Sequence, residues 1–252
     1  MSLPPVFLAQ SIAHRGLHTG SRTRPENSMS AFEAALMFGF GIELDVQLTR
    51  DGQAIVFHDY DLQRLLTRMG TVQSTDAAEL KTGQILGANE GPPLLTEVLA
   101  VVAGQVPIFI ELKDQSGTHT GTNGQLEGQV ANALAGYSGP VAAMSFNPDQ
   151  MMEMRRILPD IPRGVVTDPM VDDAWGMVPP DRRTFLANGS FIEEAGASFI
   201  SHKASDLTAG LVARQKAKGL SVLTWTIRSE AEETVARQIA DNITFEDYLP
   251  SA

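Results

Sequence analysis

The sequence predicts an α/β protein built as a (β/α)8 TIM-type barrel, and three observations support this. Short β-branched runs alternate with segments that carry helix start and stop signals. Eight such runs can be counted, the number of strands in this barrel. The Gly-rich strand–helix turn typical of a doubly wound nucleotide-binding fold is absent from the sequence. With 252 residues, the chain has the usual length of one such barrel, so we predict a single domain over residues 1–252.

The strand candidates are separated, in most cases, by a helical segment. In chain order they are Ser11–His14, Gly41–Thr49, Ala54–His58, Val106–Lys113, Val141–Phe146, Arg163–Thr167, Ser198–His202 and Ser221–Ile227. The clearest helix is Met29–Phe38, which Asn27 or Ser28 can cap and which Gly39 ends. The segment Tyr60–Pro93 follows the third candidate and contains no convincing barrel strand. We therefore predict a small insertion at about residues 60–93.

The connection between the second and third strand candidates allows two arrangements. Only residues 50–53 separate them, and the Asp51-Gly52 pair is typical of a hairpin turn. In a parallel barrel, the second strand would end soon after Asp45 so that the following residues can run back. In a hairpin centred on the turn, His58 would lie opposite Asp45. Both arrangements bring the histidine near that carboxylate.

Composition excludes several kinds of site and partner. The chain has no cysteine, which excludes disulfides, thiolate metal sites and cysteine nucleophiles. Its formal charge of −11 argues against nucleic acid as a partner, but a small anionic substrate needs only one local cation. The first ten residues lack a basic signal-peptide region, and no stretch approaches the roughly 20 apolar residues of a membrane span. We therefore expect a cytoplasmic protein without stable membrane insertion.

Three carboxylates lie on the polar faces of two strand candidates. Glu43 and Asp45 are one residue apart in a strand with alternating apolar residues, so both point to the same side. Glu111 and Lys113 do the same in a later strand. A salt bridge from Lys113 would offset one carboxylate, whereas a bound cation would offset all three. Oxygen ligands alone suit Mg2+, Ca2+ or Mn2+ better than zinc.

Two histidines end strands that lie near these carboxylates in sequence. His14 and His58 stand where the catalytic face of a barrel would be, and imidazoles can exchange the roles of acid and base near neutral pH. Arg15 follows the first histidine and offers a forked donor to phosphate oxygens, or a salt bridge to an acid such as Glu26. These are the groups needed to cleave a phosphodiester.

Together these residues resemble the glycerophosphodiester phosphodiesterase family. The resemblance runs almost the whole length of the chain and is densest before residue 60. The matching stretches are Ile12-Ala13-His14-Arg15-Gly16, Pro25-Glu26-Asn27-Ser28 with Ala31-Phe32, Glu43-Leu44-Asp45-Val46 with Thr49 and Asp51-Gly52, His58-Asp59, Glu111-Leu112-Lys113, Ser145-Phe146 and Thr224-Trp225-Thr226. Several spaced motifs in register make the resemblance specific.

The resemblance implies a role for each candidate residue. Glu43, Asp45 and Glu111 would bind a divalent cation, Mg2+ or Ca2+ with Mn2+ as a further option. His14 and His58 would be the acid–base pair. The substrate-binding residues would be Arg15 and Lys113, which neutralise phosphate charge, and Phe146 and Trp225, which wall the pocket.

The implied function is hydrolysis of small-molecule glycerophosphodiesters, such as glycerophosphocholine or glycerophosphoethanolamine, to glycerol phosphate and an alcohol. The nucleophile would be water, or a neighbouring glycerol hydroxyl that gives a cyclic phosphate. A related barrel that cleaves intact phospholipids, like phospholipases C or sphingomyelinases D, is the alternative enzyme. A binding protein on this scaffold would have lost a histidine or a carboxylate, and all five are present.

Overall fold

The computed structural model describes residues 2–20 and 23–250, in which strands and helices alternate. The strands are β1 Ile12–Ala13, β2 Gly41–Leu48, β3 Ala54–Val56, β4 Ile108–Leu112, β5 Val141–Ser145, β6 Arg163–Thr167, β7 Phe199–Lys203, β8 Ser221–Ile227 and β9 Asn242–Phe245. The helices are α1 Met29–Phe38, α2 Gln63–Leu66, α3 Ala77–Thr82, α4 Leu95–Val102, α5 Gln125–Leu134, α6 Pro148–Ile157, α7 Pro180–Asn188, α8 Gly210–Ala217 and α9 Glu230–Ala236. Short 3-10 turns occur at Pro5–Phe7, Val72–Ser74, Asp173–Trp175 and Ala204–Asp206.

The chain divides into two compact units, of which the N-terminal unit comprises Ile12–Lys113 and Asn123–Val141. Within it, β2 pairs in parallel with β1 on one side and with β4 on the other. Helix α1 begins after Ser28, whose hydroxyl accepts from the backbone of Ala31, and ends at Gly39, which has φ 72°. These are the predicted ends of that helix.

The C-terminal unit comprises residues 2–11, 114–122 and 142–250 of the described chain. Its strands β5 to β9 pair in parallel, each with the next in chain order. A helix lies between each strand and the next along the chain: α6, α7, α8 and α9 in turn. Repeated strand–helix units with neighbouring parallel strands are the pattern of a (β/α)8 barrel, so the predicted fold class is confirmed.

Two strand predictions were wrong in detail. The candidate Ala54–His58 is not one of the parallel strands, because β3 pairs antiparallel with the end of β2. The eighth parallel strand of the described residues is instead β9, which the sequence analysis did not include. Its four residues are all buried, and Ile243 and Phe245 supply most of its apolar surface.

The hairpin arrangement of β2 and β3 is correct, but its register differs by one residue from the prediction. Val46 lies opposite Val56, and the backbone N–H of Phe57 donates to the carbonyl of Asp45 at 3.0 Å. Phe57 therefore lies opposite Asp45, and His58 follows immediately after it. With this register, the apolar Phe57 is buried in the core that β3 shares with the insertion, and His58 is partly exposed.

The insertion after the third strand has an apolar core of its own. Helices α2 and α3 surround buried side chains that continue into β3: Ile55, Phe57, Leu62, Leu65, Leu66, Val72, Leu80 and Ile85. Asp61 and Thr71 form an isolated antiparallel bridge within the insertion, and Ile55 of β3 forms another with Leu94. The absence of a barrel strand from this segment was predicted. Along residues 2–20 and 23–250, no helix has the length and apolar character needed to cross a bilayer.

Candidate active site

The chain turns sharply after β1 and so brings two predicted residues against β2. Arg15 and Gly16 both have positive φ, 54° and 77°. The backbone N–H of Arg15 donates to Glu43 Oε2 at 2.9 Å, and that of Gly16 contacts the Glu43 carbonyl at 3.2 Å. His14 Nε2 lies 4.0 Å from Glu43 Oε2. The turn thus places the histidine and the arginine at one carboxylate.

The three predicted carboxylates form one buried cluster. Asp45 pairs directly with Glu111 in the β2–β4 register, and Glu43 lies two residues earlier on the same face. Each offers a carboxylate oxygen within 4.8 Å of the others. Their residues are only 1–8% exposed. Strand periodicity sets the face, and parallel pairing of the two strands brings in the third carboxylate.

Two cationic side chains and one amide contact this cluster. Lys113 Nζ donates to Glu111 Oε1 at 2.9 Å and lies 3.5 Å from Asp45 Oδ1. Arg15 Nε lies 3.4 Å from Asp45 Oδ2. Asn27 donates its side-chain amide to the same Asp45 oxygen at 2.8 Å and accepts from the Asp45 backbone at 3.3 Å.

The cluster carries more negative charge than these cations balance. Burial, together with repulsion from Asp45 and Glu111, raises the pKa of the Glu43 carboxyl well above its usual value. Burial alone would also raise the pKa of Asp45, but the charges of His58, Lys113 and Arg15 hold it well below its usual value. Although burial by itself lowers the pKa of Lys113, Glu111 and Asp45 raise it above its usual value.

These residues fit a divalent cation. Three buried carboxylates face two cationic side chains, and burial together with repulsion from the neighbouring carboxylates raises the pKa of Glu43. A divalent cation would favour the ionised form of all three carboxylates and balance their charge together. All three ligands are oxygens, the donors that Mg2+, Ca2+ and Mn2+ prefer.

His58 is held at the strand end by its neighbours. Its Nδ1 lies 2.8 Å from Asp59 Oδ1. Gln47 is fully buried, and its amide donates to the carbonyls of Phe57, His58 and Asp59 at 2.8–3.1 Å. The backbone of the histidine is therefore fixed from β2, while the imidazole remains partly exposed.

Arg15 forms the salt bridge to Glu26 that was one of its two predicted interactions, and it also contacts Asp45, while its binding of phosphate oxygens stays a prediction. Its Nη1 donates to Glu26 Oε1 at 2.6 Å, while its Nε faces Asp45. Burial by itself lowers the pKa of Arg15, but Asp45, Glu26 and Glu43 raise it above its usual value. Arg64 of helix α2 contacts Glu26 from the other side and also binds Asp59.

The two predicted aromatic residues lie in the C-terminal unit and contact each other. The rings of Phe146 and Trp225 meet edge to face, with centroids 5.6 Å apart. Trp175 and His119 extend the same cluster, at 5.1 and 6.1 Å from the Phe146 ring. The indole N–H of Trp225 donates to the Ser201 carbonyl. A role for Phe146 and Trp225 as pocket walls stays a prediction.

The N-terminal unit thus contains the other seven predicted residues: His14, Arg15, Glu43, Asp45, His58, Glu111 and Lys113. Asn27 also contacts the cluster, although the sequence indicated it only as one of two possible helix caps. Ser28 is the cap, and Asn27 has φ 54° with its side chain bonded to Asp45. Asparagine tolerates this backbone region better than most residues, which was the available signal. Gln47 and Arg64 were missed as well.

Comparison with known proteins gives consistent matches. The family described as "Glycerophosphoryl diester phosphodiesterase family" matches residues 14–245. A glycerophosphodiester phosphodiesterase of Bacillus altitudinis is 34% identical over 169 residues, which is 64% of this chain and 67% of the relative. One from Caldanaerobacter subterraneus is 31% identical over 176 residues, covering 66% and 70%.

A solved structure is similar over nearly the whole chain. It is that of an Oleispira antarctica phosphodiesterase in complex with the product sn-glycerol-3-phosphate. It is 28% identical, covers 96% of this chain and 94% of its own, and superposes with a TM-score of 0.77.

Proposed function

Because the chain belongs to the glycerophosphoryl diester phosphodiesterase family, and is a phosphoric diester hydrolase, we propose that it cleaves glycerophosphodiesters to glycerol phosphate and an alcohol. Glycerophosphocholine and glycerophosphoethanolamine are the substrates we expect. The observation that carries the proposal is the buried carboxylate cluster with His14 at one carboxylate and His58 beside it. The product bound to the Oleispira antarctica phosphodiesterase supports the glycerol phosphate half of the substrate.

Glu43, Asp45 and Glu111 would hold the divalent cation. Such a cation would supply Lewis-acid stabilisation of the charge that develops on the phosphoryl oxygens. Lys113 and Arg15, which already contact the cluster, would add positive charge and hydrogen bonds to the same group. Asn27 holds Asp45 in place, so that its carboxylate keeps its direction when substrate binds.

The proton transfers belong to the two histidines. One takes the proton from the nucleophile, while the other gives a proton to the oxygen of the departing alcohol. With water as nucleophile, one displacement completes the reaction. With a glycerol hydroxyl as nucleophile, a cyclic phosphate forms first and is then hydrolysed with the histidine roles reversed.

A second candidate function is cleavage of intact phospholipids, and one observation favours it. The insertion exposes large apolar side chains, with Met69 80%, Leu86 47% and Tyr60 44% exposed. Such residues suit contact with a lipid aggregate. The acidic chain lacks an excess of basic residues to match an anionic bilayer, so the small-molecule substrate remains the first choice. The cytoplasmic location and the absence of a nucleic-acid partner stay predictions.

The proposal is tested by assaying a panel of substrates with the protein treated with EDTA and with the protein supplied with a divalent cation. Glycerophosphocholine, glycerophosphoethanolamine and phosphatidylcholine vesicles would be compared by the rate of alcohol release. We expect release from the two small diesters, loss of activity in EDTA, and recovery with Mg2+, Ca2+ or Mn2+. Full activity after exhaustive chelation would contradict the cation requirement. A preference for vesicles would favour the second candidate.

The acid–base assignment is tested with two histidine variants and one control variant. His14→Ala and His58→Ala should each lower kcat by about 100- to 10,000-fold, the usual contribution of a positioned acid or base. Arg156→Ala, which removes an exposed arginine that pairs with Glu153 on helix α6, is the control and should retain wild-type turnover. Wild-type turnover in either of the first two variants would contradict the assignment.

A further inference from the structure

Arg64, from the first helix of the insertion, binds two carboxylates at the same time. Its Nε and Nη2 donate to Asp59 at 2.6 and 2.9 Å. Its Nη1 and Nη2 donate to Glu26 at 2.7 and 2.8 Å. The planar fork of arginine allows two bidentate pairs from one side chain, and a lysine ammonium cannot reproduce them. Both carboxylates contact residues of the candidate active site.

The first of these carboxylates holds the imidazole of His58. Asp59 Oδ1 receives Arg64 and also lies 2.8 Å from His58 Nδ1. Burial by itself would raise the pKa of Asp59, but its bonds to His58 and Arg64 lower it, so the group is an ionised acceptor. A carboxylate in this position favours the tautomer with the proton on Nδ1. Nε2 is then the nitrogen that can exchange a proton with the substrate.

The second carboxylate holds the guanidinium of Arg15. Glu26 Oε1 receives Arg15 Nη1 at 2.6 Å and Arg64 Nη2 at 2.8 Å, so one oxygen joins the two arginines. Burial by itself raises the pKa of Glu26, but Arg64 and Arg15 lower it to about 2. Arg64 thus fixes the carboxylate of Glu26 from the side opposite Arg15.

We propose that Arg64 is a positioning residue that sets the tautomer and direction of His58 through Asp59 and the position of Arg15 through Glu26. This rests on the proposed roles of His58 and Arg15. The insertion then contributes to the reaction, because its apolar core fixes the helix that carries Arg64. Leu65 and Leu66, the next two residues, are buried in that core.

A purely structural role would look different. Arg64 is 47% exposed, and surface ion pairs contribute about 0–1 kcal/mol to stability. If Arg64 only supported the fold, its replacement would slightly lower Tm and leave the tautomer of His58 unchanged. Loss of a partner that orients a metal-binding histidine costs about 10- to 100-fold in affinity or activity, and we expect a loss of the same order for His58.

The experiment compares Arg64→Ala and Arg64→Lys with the control Arg68→Ala. Arg68 lies in the same insertion and pairs with Glu79, away from both carboxylates that Arg64 binds. We expect kcat for glycerophosphocholine to fall about 10- to 100-fold in Arg64→Ala, with a smaller change in KM, and to fall less in Arg64→Lys. Arg68→Ala should match the wild type.

The tautomer is measured separately, by 15N NMR of the imidazole in alkaline buffer without substrate. We expect the Nδ1–H form in the wild type and a mixture of tautomers in Arg64→Ala. Wild-type kcat and an unchanged tautomer in Arg64→Ala would overturn the proposal. If Arg64→Ala does not fold, Arg64→Lys provides the test. Wild-type kcat and an unchanged His58 tautomer in Arg64→Lys would also overturn the proposal. Inactivity of the wild-type protein on every diester would refute the proposed function, and the NMR comparison would still test the positioning.

Discussion

Replacing Lys113 by methionine tests the charge balance of the buried cluster. The ammonium lies 2.9 Å from Glu111 and 3.5 Å from Asp45, and the residue is only 9% exposed. At an effective dielectric constant of about 20, these contacts correspond to about 6 and about 5 kcal/mol of Coulomb attraction. The desolvation of the ammonium and protonation of a carboxylate offset part of this. Breaking a buried pair typically costs about 3–5 kcal/mol, so we expect a loss of about 3 kcal/mol in Lys113→Met.

The assay is urea unfolding in the presence of a chelator, at pH 8 and at pH 5.5. The loss should be larger at pH 8, because the carboxylates left without Lys113 can take up protons at the lower pH and so avoid an unpaired buried charge. The control Lys81→Met removes an exposed lysine paired with Glu97 and should cost less than about 1 kcal/mol. The variant should also bind Mg2+ or Ca2+ more tightly while turning over more slowly. A loss below about 1 kcal/mol at pH 8 would refute the charge argument.

Two further predictions concern stability. The pKa of Glu26 is lowered from 4.5 to about 2, which corresponds to a stabilising contribution of at most about 3 kcal/mol. This contribution is present above pH 4.5 and is lost as the pH falls towards 2. Glu26→Gln should therefore flatten this part of the dependence of stability on pH, measured by urea unfolding. Gly16→Ala should cost about 2–3 kcal/mol, because φ is +77° and a Cβ would lie 2.9 Å from that of Ala31. Gly20→Ala, at φ +70° with nothing within 4 Å, should cost only about 1 kcal/mol, and equal losses in thermal unfolding would contradict the steric explanation.

The face of β2 could be predicted because it depends on local periodicity alone. Alternation of polar and apolar residues put Glu43 and Asp45 on one side, and the structure confirms this. Glu111 lies beside these two carboxylates because β2 and β4 pair in parallel, and that pairing follows from the fold class rather than from any local pattern. The carboxylate cluster was therefore as predictable as the fold itself.

The remaining errors have local causes. The register of the β2–β3 hairpin depends on turn geometry, and an error of one residue put His58 instead of Phe57 opposite Asp45. Strand β9 has only four residues, too few for a clear alternating pattern. The contacts of Arg64 with Asp59 and Glu26 depend on how the insertion packs, and no local pattern in the sequence indicates that packing.

In the proposed mechanism, two histidines share the proton transfers of one phosphodiester cleavage. The most direct measurement compares two leaving groups on the same glycerophosphoryl group, choline and p-nitrophenol, in His14→Ala and His58→Ala loaded with cation. Nitrophenolate leaves without a proton, so it does not need the general acid. We predict that one variant loses choline release but keeps most nitrophenol release, while the other loses both. Equal losses for the two leaving groups in both variants would contradict the division of roles.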